Sequence, residues 1–113
     1  MKLTGKAQEK FEEWLFEQPK FYCQEHLKHQ WLSEFYSLPD SMQWGIYQDW
    51  ADSMGFDLCV FWDERYDEND NSKFELFWSV SKIDMIGWDG YCKTRQEARD
   101  AAIEKLNQII NEQ

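Results

Sequence analysis

The chain of 113 residues has few basic residues, little cysteine and no long apolar run. It contains 12 lysines and arginines against 22 aspartates and glutamates, which gives a net charge of −10 at pH 7. This balance disfavours direct binding to nucleic acid or to an anionic membrane, because both require clustered positive side chains. No apolar segment reaches the ~18 residues that span a bilayer, and residues 1–4 do not predict a signal peptide. Three cysteines (Cys23, Cys59 and Cys92) are an odd number, which favours a reduced cytoplasmic protein over a disulfide scaffold.

Aliphatic residues are also scarce, and aromatic residues are abundant. The chain has 8 Leu, 6 Ile and 2 Val, against 7 Trp, 5 Tyr and 8 Phe. A single core of this size does not easily hide so many rings, because buried Trp and Tyr need a partner for their polar atom. We therefore expect some rings on the surface, where Trp and Tyr are enriched at protein interfaces. The alternative is that the rings replace Leu and Val in an ordinary core.

The hydrophobic period changes once along the chain, from 3.6 residues to 2. The first period predicts a helix that Thr4 caps and Pro19 ends, a second helix over about residues 20–36, and a third that Gly55 caps. The predicted buried stripe of the third helix is Met42, Ile46, Tyr47, Trp50 and Met54.

Alternation then predicts two strands over residues 56–63 and 74–81, a long loop over residues 64–71 and a shorter strand within residues 83–93. A capping box at residues 94–97 begins a last helix. One sheet face is expected to be buried under that helix: Phe56, Leu58, Val60, Phe74, Leu76, Trp78 and Val80. The predicted fold is a single α+β domain over residues 1–113, with N-terminal helices, a small antiparallel three-stranded sheet and a C-terminal helix packed on the sheet.

Acidic residues are concentrated in the middle of the chain. Residues 40–90 hold 12 acidic and 3 basic residues, whereas the flanking segments hold 10 and 9. One interpretation is that these carboxylates only solvate the surface. The other is that carboxylates with aromatic neighbours face a basic groove on another protein and imitate the phosphates it normally holds. The predicted partner-binding residues are Asp57, Trp62, Asp63, Glu64, Asp67, Glu68, Asp70, Glu75 and Trp88.

Signals for catalysis and for metal binding are weak. Cys23, His26 and His29 lie three residues apart on the predicted second helix, but a thiolate–imidazole pair needs a third, orienting group, and zinc needs a second ligand pair. Residues 67–71 resemble the start of a calcium loop, yet Ser72 stands where that loop requires Gly and Trp78 where it requires Glu. We predict no catalytic residue, no metal and no cofactor. An enzyme centred on Cys23 and His26 is the least favoured hypothesis.

Short motifs occur in three parts of the chain: LTGKA at residues 3–7 with FEEW at 11–14, LPDSMQWG at 38–45, and GYCKTRQEAR at 90–99. They resemble a recurrent family of small, mostly uncharacterised phage and prophage proteins. The resemblance implies a phage context and the cytoplasm of the host cell, and it carries over no catalytic residue. Small acidic phage proteins commonly inhibit host enzymes or host immunity stoichiometrically, so the resemblance favours binding over catalysis.

The leading hypothesis is a phage-type inhibitor that occupies a basic, nucleic-acid-binding groove of a host protein, a CRISPR effector being one candidate. Such an anti-defence protein contacts neither nucleic acid nor membrane directly. The alternative is a small structural or assembly accessory protein that self-associates through exposed aromatic residues. The sequence leaves the oligomeric state open.

Overall fold

Helices precede and follow a single sheet in the computed structural model, which describes residues 2–18, 28–82 and 85–113. In chain order the elements are α1 (Gly5–Phe16), α2 (Lys28–Tyr36), α3 (Asp40–Ser53), β1 (Phe56–Tyr66), β2 (Ser72–Lys82), β3 (Met85–Cys92) and α4 (Arg95–Asn111). The strands are antiparallel and pair in the order β1-β2-β3. The predicted α+β fold, with its three-stranded sheet and its C-terminal helix, is confirmed. The predicted second helix also covers residues 20–27, which lie outside the described residues.

The core lies between the helices and one face of the sheet. The buried residues of α4 are Ala98, Ala102, Ile103, Leu106 and Ile110. All of these except Ala98 belong to one cluster with Phe56, Leu58 and Val80 of the sheet and with the rings of Tyr47 and Trp50 on α3. Aromatic side chains therefore do fill much of this core: Phe11 of α1, for example, lies 4.8 Å from Tyr47 and 5.2 Å from Trp50, measured between ring centroids.

Tyr47 and Trp50 of α3 are buried as predicted, and Ile46 and Met54 are partly buried, but the start of the predicted stripe was wrong. Met42 is 55% exposed, whereas Gln43 and Trp44 are buried. The helix begins at Asp40, and the Gln43 side-chain amide donates to the carbonyl oxygens of Tyr36 (3.2 Å) and Leu38 (2.9 Å). These bonds satisfy the buried amide and set the rotation of the helix.

The loop between the first two strands is shorter than predicted, because pairing continues to Tyr66↔Ser72. The expectation that Phe74 is buried was wrong. Phe74 lies on the predicted face of the sheet but is 64% exposed, because this part of the strand extends past the helix that covers the rest.

Of three predicted helix caps, two are confirmed and one is replaced by a contact from another helix. The backbone N–H of Glu97 donates to Thr94 Oγ1 (3.1 Å), which confirms the cap of α4, and Gly55 follows α3 with φ +82°, which confirms its C-terminal role. Thr4 precedes α1 as expected, but its side chain makes no capping hydrogen bond. Instead, Asn111 Oδ1 of α4 accepts from the N–H of Ala7 (2.8 Å), so a distant helix caps α1.

Candidate protein-interaction surface

The β1–β2 hairpin extends beyond the helical layer. Each of the two strands has 11 residues, about 36 Å of extended chain, and the molecule measures 60 × 30 × 22 Å. On the helix side of β1, Phe56 and Leu58 are buried, whereas Trp62 is 54% exposed and Tyr66 67% exposed. The half of the hairpin that contains the turn is therefore open to solvent on both faces.

Exposed large apolar side chains are concentrated on the sheet. Among the described residues, five of the seven lie on its strands: Phe61, Trp62, Tyr66, Phe74 and Tyr91. The register places Trp62, Tyr66 and Phe74 on the helix side and the other two on the opposite face. We call that opposite face the open face, and its residues are Asp57, Cys59, Phe61, Asp63, Arg65, Lys73, Glu75, Phe77, Ser79, Ser81, Asp89 and Tyr91.

Three rings form a continuous row across the open face. Phe61 pairs with Phe77, and Phe77 pairs with Tyr91, so the row crosses all three strands. The ring centroids are 4.9 Å apart in the first pair and 5.3 Å in the second. Such cross-strand aromatic pairs stabilise a sheet. This aromatic row (Phe61, Phe77 and Tyr91) presents a rigid apolar strip to solvent.

Charged side chains flank the aromatic row on the side of the turn. Glu75 accepts from Arg65 Nη1 (3.0 Å) and from Lys73 Nζ (2.7 Å), and these two bonds lower the pKa of its carboxyl group. The Arg65 guanidinium carbon lies 4.1 Å from the ring centroid of Tyr91. The hydroxyl of Tyr91 donates to Asp63 Oδ2 (2.9 Å), and this bond raises the pKa of the tyrosine. These contacts hold the side chains in a defined arrangement.

Asp67 organises the hairpin turn. Its Oδ1 accepts from the backbone N–H of Asn69 (2.8 Å) and of Asn71 (3.0 Å), and its own N–H donates to the carbonyl of Asn71 (3.0 Å). The two bonds to the carboxylate lower the pKa of Asp67. Asp70 has φ +61°, a left-handed conformation that Asp and Asn tolerate better than most residues. Asp67 therefore shapes the turn as well as contributing charge.

The predicted partner-binding residues lie on several surfaces. Asp57, Asp63 and Glu75 are on the open face, Trp62 and Glu64 are on the helix side, and Asp67, Glu68 and Asp70 form the turn. Trp88 is separate: it is half-buried on the helix side, opposite Val80, with Lys105 Nζ of α4 5.4 Å from its ring centroid. From the register, Trp62 and Trp88 are two strands apart and about 14 Å apart along the strands.

Sequence reasoning did not select the aromatic row as part of the site. The signal was present, since strand alternation assigns Phe61 and Phe77 to the solvent side. Their alignment with Tyr91 depends on strand pairing, which the sequence pattern does not specify.

The described residues offer little for catalysis or metal binding. Cys23 and His26 lie outside them. Cys59 and Cys92 are free, and burial raises the pKa of both thiols, which disfavours the reactive thiolate at neutral pH. Within residues 2–18, 28–82 and 85–113, no group of three His, Cys, Asp or Glu side chains is arranged to hold a metal ion. None of the described helices is both long enough and apolar enough to cross a membrane.

Comparisons with protein-family models, curated proteins and solved structures find no match for the chain.

Proposed function

We propose that this protein is an inhibitor that binds the basic, nucleic-acid-binding groove of another protein. The observation that carries the proposal is that exposed rings and carboxylates share one ordered hairpin. The two basic residues near the turn, Arg65 and Lys73, both form ion pairs with Glu75. The hairpin therefore offers a partner negative charge and apolar contact together.

The charge of the hairpin is complementary to that of a groove that binds a polyanion. Residues 63–75 contain six acidic and two basic residues. Neighbours on one face of a strand are about 7 Å apart, so the strands hold their carboxylates in a regular array. Such an array attracts a basic surface during diffusional encounter, and the exposed aromatic residues supply contacts of the kind that dominate interface energies.

The phage-like motifs support a host protein as the target. In that context the protein acts in the host cytoplasm as an anti-defence protein, and a CRISPR effector is one candidate partner. Direct contact with nucleic acid is not part of the proposal, since the same negative charge that attracts a basic groove repels phosphates.

One observation favours self-association as a second candidate. Gln48 Nε2 donates to the carbonyl of Leu58 (3.0 Å), at the edge of β1. Because backbone groups alternate in direction along a strand, those of Val60, Trp62, Glu64 and Tyr66 also point away from β2. Within the described residues, these groups accept and donate no hydrogen bond outside the sheet, and an edge of this kind can pair with a strand of a second copy. The net charge of −10 on each copy opposes that pairing.

The test begins with capture of host proteins on the immobilised chain. We expect one dominant basic protein, released by its own nucleic acid and by salt, because exposed charge pairs are screened over about 10 Å at 0.1 M. The informative variant is Glu64→Lys with Glu68→Lys, since both side chains are exposed. It should slow association with the purified partner much more than it changes dissociation.

The matched control is Glu104→Lys with Glu112→Lys on and just after α4, which changes the net charge by the same amount, from −10 to −6. Equal effects of the two double variants would mean that net charge alone matters. A partner that binds its nucleic acid and this protein at the same time would contradict the proposal.

A further inference from the structure

The aromatic row divides the open face into two halves. The distal half, toward the turn, holds Asp63, Arg65, Lys73 and Glu75, and the proximal half holds Asp57, Cys59, Ser79, Ser81 and Asp89. Both halves carry carboxylates. The lysine and arginine residues of the open face, however, lie only in the distal half.

In the distal half, an arginine of the chain itself contacts both a ring and a carboxylate. Arg65 lies over Tyr91, with its guanidinium carbon 4.1 Å from the centroid, and donates to Glu75 (3.0 Å). A planar guanidinium suits this arrangement, because it stacks on a ring while its edge donates to carboxylate oxygens.

The proximal half has a ring and carboxylates but no such cation. Asp57 and Asp89 are exposed, and no described lysine or arginine forms an ion pair with either. Between them lie the small side chains of Cys59 and Ser79, and beside these Phe61 is 46% exposed. We call this region (Asp57, Cys59, Ser79, Ser81 and Asp89) the proximal shelf.

The surroundings of Cys59 show that the proximal shelf carries negative charge. Its thiol lies 3.4 Å from Asp57 Oδ2. The pKa of the thiol is raised by burial first, then by this hydrogen bond and by the charges of Asp57 and of Asp52 at the end of α3. Two carboxylates, those of Asp57 and Asp52, therefore act on this area, and its described side chains bring no positive charge.

We infer that the proximal shelf binds an arginine side chain from the basic surface of the partner, an inference that rests on the proposed function. The guanidinium lies over Cys59 and Ser79, against the ring of Phe61, with Asp57 and Asp89 on either side. Strand geometry places these two aspartates about 12 Å apart at their Cα atoms, which leaves room for one planar cation between their side chains. Lysine supplies the charge but no planar group to stack, so the shelf prefers arginine.

The test uses two nine-residue peptides, one with three arginines spaced by glycine and serine and the other with lysines in the same places. Calorimetry at low salt measures the affinity of the protein for each peptide. We expect the arginine peptide to bind about threefold more tightly, or more. Phe61→Leu should remove this preference, and Asp57→Asn with Asp89→Asn should weaken the binding of both peptides.

The matched controls lie elsewhere on the molecule. Phe74→Leu is the same change on the opposite face of the sheet, and the preference for arginine should survive it. Glu104→Gln with Glu112→Gln removes two negative charges, as the double aspartate variant does, but at a distance from the shelf. This control should weaken binding less. Amide chemical shifts show whether each variant is folded, and in the wild type the amides of Cys59 and Ser79 should move most when the arginine peptide is added.

Equal affinity of the wild type for the two peptides, or binding of neither, would overturn the arginine site. Loss of the preference in Phe74→Leu as much as in Phe61→Leu would overturn it too. The proposed function is judged separately, by competition between the captured partner's nucleic acid and this protein. If the acidic surface binds the partner without preferring arginine, the arginine site is overturned but the proposed inhibitor function is not.

Discussion

Gln43 illustrates how one side chain decides the orientation of a helix. It is the buried polar residue of the described core, and its amide donates to the carbonyl of Tyr36 at the end of α2 and to that of Leu38 between α2 and α3. Its neighbour Met42, which the apolar pattern favours for the core, is exposed instead. The two backbone bonds outweigh the burial of a methionine side chain, since an unpaired buried polar group is costly.

At the scale of the residue, we predict that Gln43→Ala lowers the free energy of unfolding by about 1–3 kcal/mol, because it removes two part-buried hydrogen bonds to the carbonyls of Tyr36 and Leu38. Met42→Ala is the control and should change stability by less than about 0.5 kcal/mol. Urea denaturation measures both. A larger loss for Met42→Ala than for Gln43→Ala would mean that the apolar pattern, rather than the amide, orients α3.

Among the elements, α1 and α4 are held together at their ends. Thr4 N–H donates to Asn107 Oδ1 (2.8 Å), and Ala7 N–H donates to Asn111 Oδ1 (2.8 Å). The packing is close: a Cβ added at Gly5, which has φ +57°, would lie 3.2 Å from Asn111 Oδ1. The N-terminus of α1 is therefore capped by a residue about a hundred positions away, while α4 is capped locally by Thr94.

We expect Asn111→Ala and Thr94→Ala each to lower the free energy of unfolding by about 1 kcal/mol, the usual cost of a lost cap. The two variants should differ in a shorter peptide. In an isolated peptide of residues 93–113, Thr94→Ala should lower helicity by circular dichroism, whereas Asn111→Ala should not. Equal losses of helicity would contradict the role of Asn111 as a cap for α1.

The hairpin turn predicts a dependence of stability on pH. The pKa of Asp67 is lowered in the folded protein by hydrogen bonds from backbone N–H groups, so the folded state binds this proton more weakly than the unfolded state. Its contribution is therefore fully present above the usual carboxyl pKa of about 4 and is lost as the pH falls through the lower folded value. In Asp67→Ala, the melting temperature should fall less steeply than in the wild type as the pH is lowered from about 5 to 2, measured by thermal melting. Glu68→Ala is the control, and an equally shallow fall there would contradict the prediction.

For the whole molecule, charge sets the expected oligomeric state. With a net charge of −10, copies repel one another, and the open edge of β1 stays unpaired at low salt. Sedimentation at 50 mM salt should give a monomer of 13.8 kDa. A mass that rises with concentration and salt, and that Trp62→Lys returns to the monomer value, would favour self-association instead.

The sequence by itself determined the kinds of elements, their order, the local cap of α4 and which residues of each strand share a face, because helical period, strand alternation and capping depend on near neighbours. It also placed the negative charge on the middle of the chain. Only the tertiary structure decided how far the helices cover the sheet, and this leaves Trp62 and Phe74 exposed. Strand register likewise aligned Phe61 with Phe77 and Tyr91, and it placed Arg65 beside Glu75. Strand register and the packing of helices on the sheet both depend on contacts between residues far apart in the chain. A local sequence pattern therefore does not specify them.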